Sequence, residues 1–340
     1  MHTLNIAITG LGSVGQQIVK LLASRHDYYL RQYQYDVRLV GVCTSNGGRI
    51  SEQGLSVEDA LSTVTHTRGL TGLKFINTVP ADVLIEAGPT NLNNGEPGLT
   101  YIRNALSRRM KVICLSKGAL VHDVSGLIEL ARQQGTLLLM SGATGSALPT
   151  MDLLQVCVAG CYIRQVKAIL TGTTNMILSE MMDTGCSFQE ALNKAQELGI
   201  AEADPSLDTQ GWDTANKCII IANSVFDAKV KVTDIQRDGI EQVTQDHIIQ
   251  WKEANLTPRL IGVINHHGDN CQISVKLELF PKNHPFASVH GRMKAMLVET
   301  AEMGELFVMG GASNLLATAA AALKDLELII RTMSVAKASS

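Results

Sequence analysis

Residues 198–217, LGIAEADPSLDTQGWDTANK, carry four carboxylates (Glu202, Asp204, Asp208, Asp213) and one lysine, Lys217. Carboxylates are natural partners for an ammonium group, and a lysine can protonate an alkoxide or hold its charge. Asp213 and Lys217 are four apart, so on a helix they share a face, acid before base. A solvated helix start with one surface ion pair would use the same residue types. Lys217, however, leads straight into the apolar run CIIIANSVF, where a solvated face is not expected.

A second constellation is made of glycines. Gly10, Gly12 and Gly15 spell G-x-G-x-x-G between the apolar run LNIAIT (4–9) and the helical pattern QQIVKLLASR. That order is what a pyrophosphate site requires. The first glycine makes a tight turn, the second admits the phosphates and the third lets helix and strand pack closely. The helix N-terminus, with Ser13 and Val14, then faces the negative charge. A third candidate, Lys117, stands just past the apolar KVICLS, where an ordinary surface lysine is also found.

The elements that must position these residues follow in order. After the glycine turn and its helix comes the strand DVRLVGVC (36–43), which ends Cys43-Thr44-Ser45-Asn46 with no acid before Glu52. An acid there would select NAD through the adenosine ribose. Hydroxyls at Thr44 and Ser45 with Arg49 nearby suit a 2′-phosphate, so NADP is slightly favoured over NAD, although Arg49 is equally readable as a surface residue. Strands at ADVLIEAG (81–88), KVICLS (111–116) and GTLLLMSGA (135–143) alternate with helices, which implies a parallel, doubly wound sheet of the α/β class. Ligands of such a sheet gather at the C-terminal strand ends. The further cofactor contacts expected are therefore Pro89 and Thr90, Ser116, and Gly311 in the glycine turn before the C-terminal helix.

Beyond 150 the pattern changes. MDLLQVCVAG reads as a helix, and YIRQVKAILTGTTNMILSEMM as a strand, a tight turn and a helix. Gly172 and Thr173 open that helix with small residues and unblocked amides, a cradle for a substrate carboxylate or simply an N-cap. Ser187 and Glu190 form a capping box for FQEALNKAQEL, which Gly199 would end, and a second helix is expected to start near Asp208 and continue through Lys217. Residues 257–280 read as two antiparallel strands.

Composition excludes several classes. A formal net charge of −3 offers no polybasic field for nucleic acid, and no run is apolar enough to span a membrane. MHTLNIAITG reads as a strand rather than a leader, and seven cysteines without a C-x-x-C pair read as reduced thiols, so a cytoplasmic setting is expected. Cys114, Cys157 and Cys218 all lie in apolar runs and are expected in the core.

Together these pieces resemble homoserine dehydrogenase over essentially the whole chain. GIAEADPSLDTQGWDTANK is similar to the family's G-[YF]-A-E-x-D-P-x-x-D-[LV]-x-G-x-D-x-[AS]-x-K, with Glu202, Asp208, Asp213 and Lys217 in register. ITGLGSVG, SKGALV, GTTNMIL and HPFASVHG (284–291) match its other segments. The resemblance implies NAD(P)-dependent interconversion of aspartate semialdehyde and homoserine in threonine and methionine biosynthesis, by a homodimer without regulatory ACT or fused aspartokinase domains. It implies a Rossmann-type parallel-sheet nucleotide domain plus an α+β catalytic and dimerisation domain. The expected bounds are 1–143 with 304–340 for the first and 144–303 for the second. Lys217 and Lys117 would be catalytic, with Asp213 orienting the lysine. Glu202 and Asp208 would hold the substrate ammonium, and Gly172 and Thr173 its carboxylate. The chain departs at Ile200 (usually tyrosine or phenylalanine), Ser116 (asparagine), Lys294 (asparagine) and Gly142-Ala143-Thr144-Gly145. That last segment is one residue short of the E-A-[ST]-V-G stretch that offers carbonyls to a monovalent cation, so no metal is expected. A related small amino-aldehyde as substrate, and a non-catalytic dinucleotide-binding sensor, remain as alternatives.

Overall fold

A computed structural model describes residues 1–268 and 270–338. The chain separates into two compact units, Met1–Ser146 with the segment from Asn314 onward, and Ala147–Ser313. The second boundary is a correction. Residues 304–313 belong to the second unit, because a strand at Gly304–Gly310 pairs along its whole length with Lys294–Thr300.

The first unit is built on seven strands. These are β1 (His2–Thr9), β2 (Tyr35–Cys43), β3 (Gly47–Ile50), β4 (Thr67–Arg68), β5 (Val83–Glu86), β6 (Lys111–Cys114) and β7 (Leu138–Leu139). Their spatial order is β4-β3-β2-β1-β5-β6-β7. From β2 to β7 the pairings are parallel, as the βα alternation requires. β3 and β4 add an antiparallel edge that the sequence did not signal. Parallel strands buried on both faces need continuous apolar runs, and Ile6, Ile8, Val42, Val83, Ile85 and Ile113 are all fully buried. The C-terminal helix Leu315–Ala338 lays Ala319, Ala322, Leu326 and Ile329 into the same core as Ile18, Val19 and Leu22 of helix Ser13–Tyr33. The buried Asp325 of that helix fastens it, accepting from the Ser141 amide (3.0 Å) and hydroxyl (2.7 Å) with Lys324 alongside. Burial pushes the Asp325 carboxyl up, against the pull of Lys324 and Ser141.

The second unit carries β8 (Ile163–Ile169), β9 (Gln236–Arg237), β10 (Leu256–His267), β11 (Asn270–Pro281), β12 (Lys294–Thr300) and β13 (Gly304–Gly310). They form one sheet ordered β13-β12-β8-β10-β11-β9, antiparallel except where β9 joins β11. Alternation along β10 sends Leu260 into the cluster under helices Gly172–Thr184 and Phe188–Glu197, and Ile261 into a second cluster with Phe280 and Phe286. The Ser187–Glu190 capping box opens the second of these helices.

Three expectations need local correction. The single helix expected from Asp208 is two, Ser206–Thr209 and Trp212–Val225, broken at Gly211. Gly211 has φ of 80°, and a Cβ there would lie 2.5 Å from the Asp238 carbonyl, so the break is built in. Residues 135–143 give only a two-residue strand before a helical turn at Ser141–Thr144. Cys157 is exposed, on the π-helical turn Leu153–Cys157, whereas Cys114 and Cys218 are buried as expected.

Candidate active site

The glycine turn sits where β1 ends, next to β5, the point at which the strand order reverses. Its three glycines have three separate demands. Gly10 has φ of 90° and would place a Cβ 2.4 Å from the Ala87 carbonyl. At Gly15 a Cβ would lie 2.1 Å from the Gly10 carbonyl. At Gly12, the N-cap of helix Ser13–Tyr33, a Cβ would meet nothing within 4 Å, so there the need is for open approach rather than packing. That helix has no acid in its first turn and no side-chain cap, leaving the N-terminal amides of Ser13 and its neighbours for a ligand phosphate.

Around this turn, Thr44 at the end of β2 accepts from the amides of Asn46 (3.2 Å) and Gly47 (3.3 Å), which presents Ser45 outward. Arg49 is engaged elsewhere, with Asp59 at 2.9 Å and Thr65 at 2.7 Å. Pro89 and Thr90 follow β5 and are exposed, and the Thr90 hydroxyl accepts from the Lys117 amide at 3.3 Å. Lys117 is the first residue of helix Lys117–Gln133, with Ser116 as its N-cap. Val14 packs on the core beneath the turn. Gly311 follows β13 in the second unit, with φ of 76°, against Ala147.

In the second unit the best-built feature is the Lys217 ammonium. It donates to the Asp213 carboxylate at 2.6 Å and to the Leu170 carbonyl at 2.8 Å. The pair is largely buried, with the Lys217 and Asp213 side chains 12% and 9% exposed. Thr171 donates its hydroxyl to the same Asp213 oxygen at 2.8 Å and lies 3.0 Å from the Thr214 hydroxyl. Two of the ammonium's three N–H groups are thus directed inward, and the third makes no bond among the described residues. Because Thr171 turns its hydroxyl to Asp213, it does not cap the helix Gly172–Thr184 that follows it.

The remaining expected substrate residues lie in the same unit. Gly172 opens its helix pressed against the Arg292 carbonyl and Ser313, where a Cβ would not fit. Thr173 donates to the Ile200 carbonyl at 3.4 Å, tying the 198–202 loop to that helix start. Glu202 is exposed, its carbonyl held by Gln196 at 3.0 Å, and Asp208 is half-buried in the short helix before Gly211. Ile200 packs its side chain on the apolar cluster that contains Ile177 and Leu192, so its departure from an aromatic is absorbed by packing. Reasoning from sequence missed the Leu170 carbonyl and Thr171, although the latter stands directly before the GTTN segment. It also missed Asn175, whose amide reaches the carbonyls of Val289, Gly291 and Met293 at 2.9–3.1 Å and braces that loop.

In the segment 140–145 the Met140 and Ser141 carbonyls accept from the Ala143 and Gly145 amides, and the Lys324 ammonium donates to the Ser141 hydroxyl. Three side chains of His, Cys, Asp or Glu are nowhere gathered to hold a metal among the described residues.

A glycine turn at the switch point of a doubly wound sheet, with a desolvated lysine–aspartate pair in a second unit, defines a nicotinamide-dinucleotide-dependent oxidoreductase acting on a carbon–oxygen bond. Comparison with known proteins narrows the class. The family model for the homoserine dehydrogenase NAD binding domain matches residues 10–141, and that for homoserine dehydrogenase matches 149–326. The chain is 32% identical over 333 residues to a homoserine dehydrogenase of Methanocaldococcus jannaschii, covering 95% of this chain and 97% of that one. It is 30% identical over 339 residues to an NAD(+)-dependent homoserine dehydrogenase of Pseudomonas canavaninivorans, covering 96% of each. The fold superposes on the crystal structure of S. aureus homoserine dehydrogenase with a TM-score of 0.80 at 27% identity, over 98% of this chain and 77% of that one. The chain belongs to the homoserine dehydrogenase family, oxidoreductases that act on a CH–OH group with NAD(P).

Proposed function

We propose that this chain interconverts L-homoserine and L-aspartate 4-semialdehyde, with the residue roles that its signature positions imply. The observation that carries the reading is the Lys217 ammonium held between Asp213 and the Leu170 carbonyl, with one N–H unused among the described residues. In the direction of reduction, the substrate carbonyl oxygen gains charge as the carbon gains hydride, and a fixed ammonium stabilises and protonates that oxygen. Asp213 fixes the lysine's direction, and Thr171 fixes Asp213. Glu202 and Asp208 bind the substrate ammonium, and the amides of Gly172 and Thr173 its carboxylate. Lys117 is the second catalytic cation of this proposal.

Gly10, Gly12, Ser13, Val14 and Gly15 hold the dinucleotide's pyrophosphate, with Thr44, Ser45, Pro89, Thr90, Ser116 and Gly311 as further contacts. Bound NAD(P) supplies or accepts the hydride. The absence of an acid at the end of β2 favours NADP, with Thr44, Ser45 and Arg49 as the residues that would meet a 2′-phosphate, Arg49 being also paired with Asp59 at 2.9 Å. We further propose a cytoplasmic homodimer whose second unit carries the dimer contacts. Ile200 and Lys294, where the family usually has an aromatic and an asparagine, motivate a second reading, a related small amino-aldehyde as substrate. The test is turnover of L-homoserine with NADP and with NAD, run beside other 2-amino alcohols. Preference for homoserine supports the first reading, and preference for another amino alcohol supports the second.

A further inference from the structure

The last residue of β5, Glu86, is 2% exposed, and its carboxyl bonds no lysine, arginine or histidine among the described residues. Its partners are neutral. One oxygen accepts from the Gly88 amide at 2.9 Å. The other accepts from the Ser116 hydroxyl and lies 3.7 Å from the Cys114 thiol. Burial pushes the carboxyl up, and these donors only partly oppose it. An apolar side chain would fill this strand end at far less desolvation penalty, so the polar group needs a reason.

Its surroundings supply one. A Cβ at Gly88 would lie 2.7 Å from the Glu86 carboxyl, and one at Gly98 would lie 3.3 Å from the Ser116 hydroxyl and 3.6 Å from the carboxyl. Both neighbours are thus glycines that let backbone close on the pair. Ser116 is the N-cap of helix Lys117–Gln133, a position where serine ordinarily accepts from the helix's own amides. Here it makes no such bond and turns its hydroxyl to Glu86 instead. The Lys117 amide goes to Thr90, and a Cβ at Gly118 would strike the backbone of Asn91, so the 88–91 loop and the start of the helix interlock.

We propose that Glu86 is a positioning residue. Its carboxyl clamps the Gly88 amide to the Ser116 hydroxyl, and so sets the backbone from which Thr90, Ser116 and Lys117 meet the bound dinucleotide. The inference rests on the activity proposed above. Glu86→Leu keeps the volume and removes both acceptors, while Glu86→Gln keeps one acceptor toward Gly88 and can donate to Ser116. In Glu86→Leu, kcat for homoserine falls at least about tenfold, as expected when reacting groups are misplaced by a fraction of an ångström. KM for homoserine moves little, because Glu202 and Asp208 belong to the other unit. NADPH binding, followed by cofactor fluorescence, weakens in parallel.

Glu86→Gln restores kcat to within about threefold of the parent, and Ser116→Ala combined with Glu86→Leu is no worse than the poorer single variant, as for residues acting in one contact. A purely structural role would instead lower the thermal midpoint with kcat per folded molecule unchanged. Parent-like kcat and NADPH affinity in Glu86→Leu, or additive losses in the double variant, would overturn the proposal. Should Glu86→Leu not fold, Glu86→Gln with and without Ser116→Ala reads the same coupling. If the parent protein turns over no homoserine, the activity reading fails separately, and the effect of Glu86→Leu on NADPH affinity still decides the clamp.

Discussion

Replacing Lys217 by methionine separates two consequences of the same ion pair. The first is on stability. Asp213 is 9% exposed and loses the Lys217 ammonium 2.6 Å away, while Thr171 still donates to it. Removing one partner of a buried pair destabilises by roughly 3–5 kcal/mol, and the surviving Thr171 bond places this case at the low end. At about 2–4 °C per kcal/mol for a unit of this size, the thermal midpoint should drop by roughly 6–12 °C. The second consequence is on the chemistry. Loss of a positioned proton donor lowers turnover by about 10²–10⁴-fold, which is roughly 3–5 kcal/mol on the barrier.

The double variant Asp213→Asn with Lys217→Met tells the two apart. It no longer buries a carboxylate deprived of its Lys217 counter-charge, so most of the midpoint should return, whereas homoserine turnover should not. Differential scanning fluorimetry and a steady-state assay on the three proteins suffice. A single variant with parent-like midpoint and turnover within tenfold, or a double variant that regains turnover, would refute the reasoning.

Two other expectations use different parts of the molecule. Gly12→Ala should leave the thermal midpoint nearly unchanged, since its Cβ meets nothing within 4 Å, yet weaken NADPH binding measured by cofactor fluorescence. Gly15→Ala should lower the midpoint as well, because its Cβ would lie 2.1 Å from a carbonyl. In the first unit, a hydrogen bond to Asp36 at 3.0 Å raises His26 above its ordinary pKa, against the opposing effect of burial. Burial pushes Asp36 up, but His26 and Arg38 hold it below its ordinary value. A raised histidine stabilises the fold below its unfolded pKa of about 6.5 and loses that effect as pH rises through the folded value, while the lowered carboxyl loses its share as pH falls below about 3.9. With the His26 side chain 42% exposed, the pair contributes under about 1 kcal/mol. The midpoint difference between the parent and His26→Gln should therefore be largest near about pH 5 and fade toward about pH 8, and a difference that grows with pH would contradict this sign.

How much was legible in the sequence depended on how local the cause was. The glycine turn could be read residue by residue because its steric demands act within a few residues and against one neighbouring strand. Asp213 and Lys217 could be paired because four residues is one helical turn. The break at Gly211 was not seen, since the obstacle is the Asp238 carbonyl, brought in by the chain beyond the helix. Nor were Leu170 and Thr171, whose contact with Lys217 and Asp213 closes a loop of more than forty residues. Residues 304–313 went to the wrong unit because a glycine-rich stretch reads as a connection until its pairing with β12 is known. Glu86 left a signal that went unused, a lone acid at the end of the apolar run VLI.

The central claim is that this chain oxidises homoserine through Lys217. Absorbance at 340 nm, with purified protein, L-homoserine and NADP or NAD, measures it most directly. Reduced cofactor should accumulate with the parent protein, and its rate of formation should fall by orders of magnitude in Lys217→Met. Equal rates in the two proteins, or no reduced cofactor from a protein that binds NADPH, would contradict it.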